Sequence, residues 1–292
     1  MMAISKSDRS ARQQEAPGQA PTSRVATPGY RPRHHLPTWL FCLALVILPF
    51  LRSHAQNAAT SEERDKRYYR TLYHEGKKRC DKETNNVETA WIFAQACFDW
   101  ADFATTDSDR AEVAQEGIAA ARRAIALEPQ CGPAYHYLAL NLGQLARTKL
   151  LGALKLLGEM EGAWKQSIAL DPNFRFASAH RSLGMLYRDA PGWPTSLGDR
   201  SKARTHLKKA VELAPSYPDN QLTLIETYLD WGDKKAAAPL IAGFESITKT
   251  AREQLTGEQW NLSWREWQQR WEKIKARTKS SRSSARSPRG GQ

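Results

Sequence analysis

Apolar positions recur three and four residues apart through the middle of the chain, and the runs end on Leu127-Glu128-Pro129, Leu170-Asp171-Pro172 and Leu213-Ala214-Pro215. The prolines stand 43 residues apart both times. Proline cannot donate a backbone hydrogen bond and disfavours the helical conformation in the residue before it, so each tripeptide reads as a helix ending. Trp91, Ala94 and Phe98 share one helical face. Gly117, Ala121 and Ala124 give the partner helix, with Asp107 or Ser108 as its expected N-cap after a loop from Thr105 to Arg110. The pattern returns at Tyr135, Leu138, Ala139 and Leu142, then Trp164, Ser167 and Leu170. A third round has His180, Leu183, Gly184 and Tyr187, followed by Ala203, Leu207 and Ala210. The fourth has Leu224, Tyr228, Gly232, Ala237 and Ile241, turning at Trp231-Gly232-Asp233. A small residue beside large ones lets two helices approach closely, and recurrence at a fixed period predicts stacked hairpins, each burying its face on its neighbours.

This large, large, small, large order with a closing proline resembles the tetratricopeptide (TPR) repeat. It implies an all-α, TPR-like right-handed superhelical solenoid of about four helical hairpins over 88–250. Units two and three are each about nine residues longer than a standard repeat. The surplus falls between the two helices of the unit: Leu150, Leu151, Leu154, Leu156 and Leu157 in one, Arg188 to Asp199 in the other. The sequence APGWPTSLGD at 190–199, with Ala203, His206, Leu207, Ala210 and Pro215 after it and Ala163-Trp164 and Leu170-Asp171-Pro172 before it, resembles the T-component family of TRAP transporters. A similar repeat style occurs in regulator-of-microtubule-dynamics proteins. The first resemblance implies an envelope protein accessory to solute uptake, with a transporter substrate-binding protein as partner.

The flanks differ. Residues 1–35, rich in Pro, Gly, Ser, Gln and Arg, are expected to be disordered. Leu36 to Leu51 is an apolar run of sixteen residues behind Arg31, Arg33, His34 and His35, and is followed by Arg52-Ser53-His54-Ala55. At 36–55 this reads as a signal peptide cleaved after Ala55, or as a membrane anchor if it stays uncleaved. Residues 56–87 form a polar arm, where Tyr68, Tyr69 and Tyr73 give a short helix one adhesive face. From Gln254 to Lys275, Trp260, Trp264, Trp267 and Trp271 fall within about 60° of one another on a helix. At 251–275 this predicts either a capping helix for the repeat array or an interfacial, oligomer-forming helix with Arg265, Arg270, Lys273 and Lys275 beside the indoles. Residues 276–292 lack apolar content and are expected to be disordered.

The net charge of +12 sits in the tails, with six basic against two acidic residues in 1–35 and seven against none in 273–292, leaving about +1 between. No aromatic-interleaved basic motif accompanies it, so no specific nucleic-acid partner is expected. The four cysteines lack metal-site spacing. Cys80 and Cys97 read equally as a bridge from the arm to the first helix or as buried small hydrophobes. No phosphate-cradling loop, metalloprotease motif or nucleophile elbow is present, so neither an enzyme nor a cofactor is expected.

Recognition remains. The first helix of each unit (its A helix) should present Ile92, Asp99, His136, Leu140, Asn141, Arg181, Met185, Arg188, Leu222 and Glu226 to a groove. Arg181 and Arg188 are the expected carboxylate-pairing residues for an extended peptide, a protein partner or a small anion, and reversing their charge is expected to weaken binding without unfolding. A membrane partner is expected only if 36–51 is retained, and a homo-oligomer is compatible with the pattern.

Overall fold

The computed structural model describes residues 39–149, 152–192 and 195–286, with side chains over 60–149, 152–192 and 195–279. The chain divides after Arg64, and the body beginning at Asp65 carries the repeats. Expectations for 1–35, Leu150, Leu151, Trp193 and Pro194 lie outside the described residues.

Ten α-helices are described: α1 Trp39–Lys82, α2 Val87–Ala101, α3 Asp107–Leu127, α4 Gly132–Arg147, α5 Ala153–Leu170, α6 Phe174–Asp189, α7 Arg200–Leu213, α8 Pro218–Asp230, α9 Lys234–Gln254 and α10 Asn261–Arg286. They pair as α2/α3, α4/α5, α6/α7 and α8/α9, and the A helices α2, α4, α6 and α8 lie beside one another in that order. The result is an all-α solenoid of four hairpins. Among the described residues there is no strand.

Local chemistry sets the boundaries. Thr106, not Asp107 or Ser108, caps α3 by accepting from the Asp109 N–H at 3.0 Å. Asn86, Asp199 and Asp233 cap α2, α7 and α9 in the same way, satisfying N–H groups that a helix start leaves without partners. Glu128, Asp171 and Ala214, each just before a proline, have φ of −142°, −150° and −136°, outside the helical range. The repeat metre is thus a backbone constraint. Small positions give the close approach: a Cβ on Gly184 would lie 2.7 Å from Leu207 Cγ.

Two clusters form the core. Ala90, Phe93, Ala121, Tyr137, Leu142, Trp164, Leu183 and Tyr187 belong to the first, spanning units one to three. The second joins Leu207, Leu222, Ile225 and Phe244 to Trp267, Trp271 and Ile274 of α10. From Asp65 on, α1 packs on unit one: Tyr73 is buried, its ring 5.8 Å from Phe93, and its hydroxyl donates to Glu116 at 2.6 Å.

Two local expectations change, and one of the two readings of the cysteines holds. Leu154, Leu156 and Leu157 are not an inter-helix insertion but belong to α5, which begins at Ala153. The single helix expected from Gln254 is interrupted, because α9 runs on to Gln254 and Gly257 turns the chain at φ +97° into a 3-10 turn, Glu258–Trp260. Cys80, Cys97 and Cys131 are buried free thiols, with the Arg123 guanidinium bonded to Cys80.

Candidate functional site

The A-helix face has two parts. At the unit-four end the arginines are paired. Arg270 reaches from α10 to α8, donating to Glu226 at 2.9 and 2.8 Å, to Asp219 at 2.5 Å and to Thr223 at 3.0 Å. Arg181 adds an ion pair to Asp219 at 3.2 Å and a hydrogen bond to Asn220 at 2.7 Å. Burial pushes the Asp219 carboxyl up, but the guanidiniums of Arg181 and Arg270 outweigh it and hold it below the usual carboxylate range. Arg188 donates to Asp189 at 2.6 Å and to Thr227 at 3.0 Å. Farther along α10, Arg277 bonds Asp230 and the Leu229 carbonyl, and Arg265 pairs with Asp65 of α1. Trp267 and Trp271 complete the seam, packed edge-on to Tyr217 and against Phe244.

The part over units one to three is different. Asp99 on α2 is half-buried, and burial, reinforced by Asp102, pushes its carboxyl up to about 7 against the pull of Arg175 and a Gln95 hydrogen bond. Arg175 itself is exposed and makes no hydrogen bond or ion pair among the described residues, and its charge is felt at Tyr69, Tyr137, Tyr217, Asp99 and His136. It opens α6 in a run of left-handed backbone, with φ of +44° at Arg175, +61° at Phe176 and +57° at Ala177. Such conformations cost non-glycine residues roughly 1–3 kcal/mol each and persist only where surrounding contacts enforce them. Here Phe174 packs on Trp91, His136 and Tyr137, while Phe176 stacks on Tyr217 at 4.3 Å and lies 6.0 Å from Trp260.

The expected groove residues therefore separate. Ile92, Asp99, Leu140 and Met185 are half-buried on the A helices. His136, Asn141 and Leu222 are corrected: at 1%, 0% and 0% exposure they are interior. Asn141 donates to the Ala94 and Tyr137 carbonyls, both at 2.8 Å, stitching α4 to α2, which is why a polar residue sits at that packed position. Burial, with Arg181 and Arg175 nearby, pushes His136 down to about 3, leaving it neutral with Nδ1 unpartnered. Arg181 and Arg188 lie on α6 and Glu226 on α8, and their charges are already spent on Asp219, Asp189 and Arg270. Sequence reasoning missed Arg175, for which the linear pattern holds no signal. It also missed the docking role of Arg270, though Trp267, Arg270, Trp271, Ile274 and Arg277 share one face at three-, four- and seven-residue spacing.

With the geometry in place, comparison with known proteins supports the repeat architecture. The family of regulator of microtubule dynamics proteins 1-3 matches residues 51–186, just under half of the chain. A thermophilic TPR protein of Thermus thermophilus, TTC0263, is 17% identical over 77% of this chain and 96% of its own, with a TM-score of 0.52. MamA is 17% identical over 66% of this chain and 94% of its own, at a TM-score of 0.41. Human IFIT1, solved as a dimer with PPP-AAAA, is 19% identical over 60% and 46%, at 0.33. No curated protein sequence matches the chain. The likeness to TTC0263 shows a TPR-type fold. The finer likeness to the TRAP T-component family finds no support in these matches.

Proposed function

We propose that this protein is a non-enzymatic TPR-type scaffold that holds a protein partner on its A-helix face over units one to three. One observation carries the reading: the same face at unit four already holds a polypeptide segment, α10, through Arg270 on Asp219 and Glu226 and through Trp267 on Tyr217. A surface that binds one amphipathic segment in this way has the mixed apolar and charged character needed for another. A photo-crosslinking residue at Gln95, on α2, should capture the partner, whereas one at the exposed Lys208 on α7 should not. Capture from Lys208 alone would place recognition on the other side and sink the proposal.

Export is part of the same proposal, with residues 36–55 as a signal peptide and the cell envelope as destination. Among the described residues no helix is long and apolar enough to cross a membrane. Mass spectrometry of the mature protein decides: a start at Gln56 supports export, and an intact 36–51 supports the anchored alternative. A role in TRAP-type uptake rests mainly on the 190–199 loop, and copurification with a substrate-binding protein is its test.

A further inference from the structure

Among the arginines that face the A helices, Arg175 stands apart. Arg181, Arg188 and Arg270 each have carboxylate partners, whereas Arg175 makes no hydrogen bond or ion pair among the described residues. Its backbone lies in the only run of positive φ at non-glycine positions among the described residues. The residues on either side of it are pinned by aromatic rings from different units. Phe174 is held against His136 at 5.6 Å and Tyr137 at 6.1 Å, and Phe176 lies flat on Tyr217 with the planes 5° apart. Backbone strain held from both sides, at an exposed residue whose guanidinium makes no hydrogen bond or ion pair among the described residues, points to a functional position.

The surroundings say which ligand. Tyr69, Tyr137 and Tyr217 feel the Arg175 charge, as does Asp99. With its titration point about 7, Asp99 is protonated in a large fraction of molecules at neutral pH, and in that form it no longer offsets the Arg175 charge. Beside them the partly exposed ring of Phe176, with Tyr217 and Trp260, offers an apolar wall. Nearby, His136 keeps a buried Nδ1 without a partner.

We propose that Arg175 and its neighbours form a binding site for the carboxylate of a ligand with an apolar or aromatic body. The guanidinium takes the carboxylate in the bidentate geometry that suits a planar fork, and the body rests on Phe176 and Trp260. Two sources share this chemistry, the free C-terminus of a partner polypeptide and a small organic acid. The proposal deepens the scaffold reading, since it places the recognition element on the same face.

Calorimetric titration of the full chain with three probes tests it: Gly-Gly-Phe as the free acid, the same peptide as its amide, and 3-phenylpropionate. The acid should bind at one site, with the amide weaker by about tenfold or more. Arg175→Gln should lose the acid by a similar factor, and Arg175→Lys should recover part of it. Arg175 is exposed, so both variants should melt with the parent. Peptide acid bound about tenfold more tightly than phenylpropionate assigns the site to a polypeptide terminus, and equal affinity assigns it to a small acid. Equal binding of acid and amide, no binding by any probe, or Arg175→Gln binding as the parent does would overturn it. If crosslinking from Gln95 persists while every carboxylate probe fails, this site is wrong and the scaffold stands.

Discussion

The two parts of the A-helix face are built from the same repeats yet handle charge in opposite ways. At unit four, two carboxylates, Asp219 and Glu226, and two guanidiniums, Arg181 and Arg270, are brought together with Trp267 and Trp271, and the two carboxylates each accept directly from a guanidinium. Over units one to three, among the described residues, Asp99 is partly buried without an ion pair, Arg175 is exposed without one, and the backbone between two aromatic clusters is strained. Buried charges persist when paired, and an uncompensated group is tolerated where a partner can complete it. In that sense α10 is to unit four what the proposed ligand would be to the rest of the face.

Breaking the compensated end should have the largest effect. Arg270→Ala leaves Asp219 and Glu226 without their shared cation and should destabilise by about 3–5 kcal/mol in urea unfolding, with early proteolysis near Gly257 as α10 detaches. Loss of under about 1 kcal/mol would mean that the indoles alone hold α10. Arg181 and Arg188 fall in the same class. Their joint reversal, which the sequence suggested would spare the fold, places acidic groups beside Asp219 and Asp189 and should unfold the C-terminal units.

Next comes the packing common to both ends. Gly184→Ala drives a Cβ against Leu207 between α6 and α7 and should cost about 1–3 kcal/mol, read as a lower melting temperature. An unchanged melting temperature would show that Leu207 swings aside.

At the uncompensated end the sign reverses. The Asp99 carboxyl titrates higher folded than unfolded, so the folded state binds the extra proton and stability falls as pH rises from about 4 towards about 7. Asp99→Asn removes that loss and should raise the melting temperature by roughly 2–4 °C at pH 8 and leave it unchanged at pH 3. The titratable groups that interact with Asp99, among them Asp102, Arg175, Tyr68, Tyr69, Cys97 and Tyr137, are untouched by the substitution. A lower melting temperature at pH 8 would refute the uncompensated reading.

The smallest effect lies between α6 and α7, where the Nδ1 atoms of His180 and His206 are 3.0 Å apart. Burial, with His206 and Lys209 nearby and Glu212 opposing, pushes His180 down to about 4. Burial with Lys165 and Lys202 lowers His206 as well. Folded pKa values below the unfolded ones mean that stability is lost as pH falls from about 6.5 towards 4. Substituting His206→Gln should flatten that acid loss, measured by melting between pH 7 and 4, and an unaltered slope would assign it to His136 instead.

Much of the fold was legible because its determinants are local. Leu-x-Pro endings fix helix C-termini, and small residues such as Gly184 mark close approaches. The face was less legible. Asn141 and His136 sit in phase with residues that point outward on an ideal repeat, yet neighbouring helices cover them, and no linear pattern records how closely helices crowd. Glu226 and Arg181 lie on A helices, but the sequence does not show that Arg270, far along the chain, reaches Glu226 or that Arg181 pairs with Asp219.

By itself the sequence determined the order of the hairpins and the Leu-x-Pro points at which α3, α5 and α7 stop, because backbone chemistry and side-chain size act over a few residues. Only the tertiary structure decided which charges are neutralised and which are left over. Pairing depends on distances between helices such as α8 and α10, and the left-handed turn at Arg175 exists only because rings from other units hold it.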